Sequence, residues 1–85
     1  MGVFPKKVGH MKGQPITTNS QLILEIKLRY EFLSRAAKAM GYTSNLDYQR
    51  FRNTVLGGSK DYQVISKLVE AYPMLDAYKV WGVRL

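Results

Sequence analysis

Ser44-Asn45-Leu46-Asp47-Tyr48-Gln49-Arg50-Phe51-Arg52-Asn53-Thr54-Val55-Leu56-Gly57-Gly58 is the stretch on which the reading of this chain turns. At helical spacing it separates into two stripes. Tyr48, Phe51 and Val55 fall at i, i+3 and i+7 and make an apolar face. Asn45, Gln49, Arg52 and Asn53 fall at i, i+4, i+7 and i+8 on the other side. Ser44 suits an N-cap, and the glycine pair suits a stop. The polar stripe carries side chains that make paired hydrogen bonds to base edges, Arg to guanine and Asn or Gln to adenine. A face kept only for solubility would carry more Glu and Lys, so the pattern predicts a helix that reads DNA. A plain solvated face is the alternative.

Ahead of this stretch, Ser34-Arg35-Ala36-Ala37-Lys38-Ala39-Met40-Gly41 reads as a short helix ended by glycine, with Tyr42 and Thr43 as a turn. Residues 20–33 admit two patterns. Leu22, Leu24, Ile26, Leu28, Tyr30 and Phe32 alternate as in a strand, whereas Ile23, Ile26, Tyr30, Leu33 and Ala37 keep a helical period. The Leu, Glu, Lys and Arg content favours helix, capped by Asn19 or Ser20, with a strand as the competitor. After Gly58, Ser59 is expected to cap a fourth helix with Asp61 in its first turn. Its expected stripe is Tyr62, Ile65, Leu68, Val69 and Tyr72, and Pro73 stops it. Residues 74–85 make one more helical turn around Leu75, Tyr78 and Trp81, or a short strand over 80–85. The expectation is an all-α domain of four to five helices over 20–85.

Ahead of it, residues 1–19 are dense in Gly2, Pro5, Gly9, Gly13 and Pro15, with Lys6, Lys7, His10 and Lys12 between them. No apolar period survives, which predicts a flexible basic arm able to lie along phosphates, or a terminus without a role. The 85-residue chain carries a net charge of +7, no cysteine and a single histidine. All the excess charge falls in residues 1–60, because residues 61–85 hold three Lys/Arg and three Asp/Glu. That asymmetry is the footprint of a phosphate-binding surface, although RNA or an acidic protein would also suit it. Without cysteine there is neither a disulfide scaffold nor a thiolate zinc site. No apolar run approaches a transmembrane length, and Pro5, Lys6 and Lys7 interrupt any signal-like start, so a reducing cytoplasm is expected.

Catalytic chemistry has little to work with. His10 lies in the arm, no pair of carboxylates has a plausible spacing, and no GxxxxGK[ST] loop is present. Gly57-Gly58 follows a helix and so makes a cap rather than a nucleotide loop. An enzyme is not expected, nor a cofactor, a metal or a small-molecule substrate.

The segment from Ala37-Lys38-Ala39-Met40-Gly41 through Val55-Leu56-Gly57-Gly58 and on to Ser59–Pro73 resembles the phage repressor/Cro type of helix-turn-helix domain. Small Ala lets the two helices of that motif cross closely, and Gly makes the turn. The resemblance covers about residues 33–76, as judged from the motif itself. The segment between Gly41 and Phe51 is one residue longer than the family's usual spacing, and the common Thr/Ser-Gln-Glu start is absent. What the resemblance implies is a transcription regulator of phage or mobile-element type, associated with the nucleoid and working as a homodimer on double-stranded DNA. The second helix of its motif lies in the major groove. Asn45, Gln49, Arg52 and Asn53 would then contact bases. Lys6, Lys7, Lys12, Arg35, Lys38, Ser44, Arg50 and Lys60 would contact phosphates. The competing expectations are a small phage assembly or protein-interaction component, and an RNA-binding module.

Overall fold

A computed structural model describes residues 15–84, which form five helices and, among those residues, no strand. The chain is an all-α bundle. Helix α1 (Asn19–Tyr30) settles the ambiguous stretch as helix. Neither Asn19 nor Ser20 caps it. Thr18 does, in a reciprocal box: the Gln21 N–H donates to Thr18 Oγ1 at 3.1 Å, and the Thr18 N–H donates to Gln21 Oε1 at 3.2 Å. The Asn19 amide instead donates to Val55 O at 2.9 Å, tying the start of α1 to the end of the third helix. Wound as a helix, the alternating residues part company. Leu22 and Ile26 are fully buried at i, i+4, while Leu24 and Leu28 are left to solvent.

Glu31, with φ at +76°, ends α1, and α2 (Leu33–Ala39) begins two residues later. Ala36 and Ala37 are completely buried, and their small size lets α2 pack closely on both α1 and the third helix. Gly41 carries the turn at φ +93°, a conformation L side chains rarely adopt. Helix α3 (Asn45–Val55) follows, with Ser44 Oγ accepting from the Asp47 N–H at 3.0 Å.

The α4 helix (Tyr62–Ala71) is capped by Asp61 rather than Ser59: Asp61 Oδ1 accepts from the Gln63 and Val64 N–H groups. Ser59 pairs its hydroxyl with that of buried Thr54, at 3.2 Å. The buried face of α4 is Val64, Ile65 and Leu68; Tyr62, placed in the stripe from the sequence, is 61% exposed. Tyr72 is extended ahead of Pro73 and ends the helix. Helix α5 (Ala77–Trp81) then folds back, and the Trp81 indole N–H donates to Thr54 O at 2.8 Å. Ile16 lies in the same layer, bridged to Leu75, with its N–H on Met74 O at 2.8 Å and its carbonyl taking the Asp76 N–H at 2.9 Å. Residues 15–18, assigned to the arm from composition, are therefore docked, and the rest of the expected arm lies outside the described residues. Phe51, Leu22, Ile26, Ile65, Leu68, Val55 and Val64 fill the centre. Burying each such side chain contributes about 1.5–3 kcal/mol.

Candidate nucleic-acid interface

The buried side of α3 determines what its other side presents. Phe51, Thr54 and Val55 are inaccessible to solvent, and the Tyr42 ring packs against Phe51 with centroids 5.9 Å apart. At roughly 100° per residue, and measured from Asn45, Gln49 lies near 40°, Arg52 near −20° and Asn53 near 80°. All four are exposed, on one arc opposite the core. Arg52 also stands in the last turn, where its charge complements the helix C-terminus.

The turn before α3 is tied to α4. Lys67 on α4 donates to Met40 O at 3.0 Å and sets its ammonium 5.1 Å from the Tyr42 ring centroid. Burial pushes the Tyr42 hydroxyl above its usual pKa, with nearby Arg50 pulling the other way. Lys38, Ser34, Thr43, Ser44 and Asn45 line a small cleft of about 140 Å³ between α2 and the start of α3. Lys38 is exposed there. The Ser44 hydroxyl is engaged as the cap.

Arg50, read from the sequence as a phosphate contact, is tied to protein groups instead. Its Nε donates to Asp61 Oδ2 at 2.8 Å, its second terminal nitrogen to Gln63 Oε1 at 2.8 Å, and its first reaches Asp47 Oδ1 at 3.5 Å. The guanidinium thus fastens α3 to the N-terminus of α4 with geometry suited to its fork. The Asp61 hydrogen bond raises the pKa of Arg50, and the same bond lowers that of Asp61. Arg35 forms an exposed pair with Glu31 at 2.9 Å, a contact of small worth that an anion readily replaces. Lys60 is exposed in the α3–α4 connection and lines, with Gln49 and Asn53, a groove of about 370 Å³ along the polar arc. Lys6, Lys7 and Lys12 lie outside the described residues.

The arc also holds two residues outside the expected stripe. Leu46, near 100° from Asn45 on the same wheel, is 71% exposed, and Leu56, near 20°, is 42% exposed. Helical spacing alone was enough to place both. Among the described residues, no three His, Cys, Asp or Glu side chains gather where they would hold a metal, and no helix is long and apolar enough to cross a membrane. No protein-family model, no curated protein and no solved structure matches this chain.

Proposed function

We propose that the chain is a sequence-specific double-stranded-DNA-binding transcription regulator of the phage repressor/Cro kind, working as a homodimer whose α3 helices enter the major groove. One observation carries this reading: Asn45, Gln49, Arg52 and Asn53 are exposed together on one arc of a helix whose other side is anchored in the core. Amide and guanidinium side chains on a rigid helix are the groups that discriminate base pairs in that groove. Charge adds support, since the whole +7 excess belongs to residues 1–60. Phosphates are assigned to Arg35, Lys38 and Lys60, together with Lys6, Lys7 and Lys12. A second reading, a protein-interaction domain, is favoured by Leu24, Leu28 and Phe32, which are 44%, 50% and 53% exposed.

Random-site selection followed by sequencing of the bound duplexes tests the proposal. It should return a defined site, bound with a log K against log salt slope of about −4 to −5 per protomer for ~4–6 phosphates neutralised by each. On that site Arg52→Ala should weaken binding by about 1–3 kcal/mol and relax discrimination at one base pair. Lys38→Ala should weaken specific and random duplexes by the same factor, because a phosphate carries no base information. Absence of enrichment with a salt-independent response would overturn the DNA reading in favour of a protein partner.

A further inference from the structure

Leu46 is the most exposed of the large apolar side chains among the described residues, at 71%. An isolated exposed leucine is ordinary; the neighbours of this one are not. It is the second residue of α3, one turn before Gln49 and two before Asn53, and all three line the same groove, to which Lys60 also contributes. The N-terminal residues of a reading helix are well placed to contact base edges. Amide side chains pair with the N6/N7 edge of adenine, and the thymine of the same base pair presents its C5 methyl to the same groove. An apolar side chain beside two amides therefore matches the chemistry of an A·T pair: hydrogen bonds on one base, a methyl contact on the other.

Resting on the proposed DNA-binding function, we infer that Leu46 is a specificity-determining residue that reads the C5 methyl group of a thymine in the major groove. Gln49 or Asn53 takes the neighbouring adenine edge, and Lys60 holds an adjacent phosphate.

Replacing thymine by deoxyuridine removes that methyl and leaves every hydrogen-bonding edge intact. On the selected site, each thymine is replaced singly and affinities are measured with the full chain. One position should show about fourfold weaker binding for uracil, the transfer value of one methyl-sized group. Leu46→Ala should bring the thymine-to-uracil ratio at that position to about one while leaving the discrimination supplied by Arg52 in place. Leu46→Met, still apolar, should retain the preference. Equal binding of thymine and uracil at every position, or an unchanged ratio in Leu46→Ala, would overturn the inference and leave the DNA reading standing. Failure of the native chain to bind any duplex, or binding of single-stranded RNA alone, would overturn both.

Discussion

Phe51→Ala tests the orientation of α3, on which the proposed interface depends. Phe51 is fully buried and lies against the Tyr42 ring, so truncation leaves a cavity in the core. The cost is about 3–5 kcal/mol, combining lost transfer energy with incomplete collapse. The stability of an 85-residue chain is roughly 4–13 kcal/mol, so the variant loses a large share of it. Trp81 is the chain's single tryptophan and only 5% exposed, which makes its fluorescence a direct reporter of unfolding. In guanidinium chloride, with a slope of roughly 2 kcal/mol per molar for a small domain, the midpoint should fall by about 1.5–2.5 M. Gln49→Ala, on the opposite arc, should stay within about 0.5 kcal/mol of the native chain. A loss below about 1 kcal/mol at Phe51, or a larger loss at Gln49 than at Phe51, would mean that α3 presents a different face and that the polar arc is not the interface.

Gly57 has φ +91°, and a Cβ there would stand 2.8 Å from Asn19 Oδ1, so Gly57→Ala should destabilise by about 1–2 kcal/mol in thermal unfolding. Gly58→Ala, with ordinary clearance, should change little, and equal effects at the two glycines would contradict the turn geometry. Arg50→Gln should lower the thermal midpoint but leave the salt slope of DNA binding unchanged, because the guanidinium is occupied by Asp61, Gln63 and Asp47. A slope reduced by about one per protomer would return Arg50 to the phosphate set. The hydrogen bond from Arg50 holds the Asp61 carboxyl below its ordinary 3.8. A lowered folded value stabilises above the unfolded pKa and is lost as pH falls through the folded one. Asp61→Asn should therefore trail the native chain in thermal midpoint at neutral pH, with the gap closing below about pH 3.8. A gap that stays the same on acidification would show the pair to be of no consequence.

Much of the helical framework is legible in residue order because the signals are local. Helix α3 has a serine cap, a two-faced period and a glycine at its end, and each of these lies within the segment itself. Other features depend on partners far along the chain. Glu31 takes a left-handed turn at φ +76° with no glycine or proline to announce it. Ile16 is buried only because Leu75 comes alongside, in a stretch whose glycines and prolines suggest an unattached arm. Ile65, Leu68 and Tyr72 of the expected α4 stripe are buried, but Tyr62, the first residue after the Asp61 cap, is exposed and Val64 takes an inward position. Cap residues compete within a few positions, and the winner is decided by what else each side chain can bond. Ser59 already has Thr54, and Asn19 already has Val55.

The same division runs through the candidate site. Exposure of Asn45, Gln49, Arg52 and Asn53 follows from helical spacing once Phe51 and Val55 are inward, so that stripe is readable without coordinates. The fate of a charge is not, because an arginine's partner is chosen by the fold: Arg50 meets an aspartate eleven residues on. Removing Arg50 changes the electrostatic picture in a way that bears on mechanism. Arg52 is left as the one cation on the central arc of α3, while Lys38 lies before the helix and Lys60 after it. Neutral side chains dominate the arc and cations flank it. On the proposed reading, the groups that attract any duplex and the groups that choose among duplexes are thus spatially separate. A protein built this way can slide on random DNA through its flanks without desolvating the amides and Leu46, which engage only where the bases match.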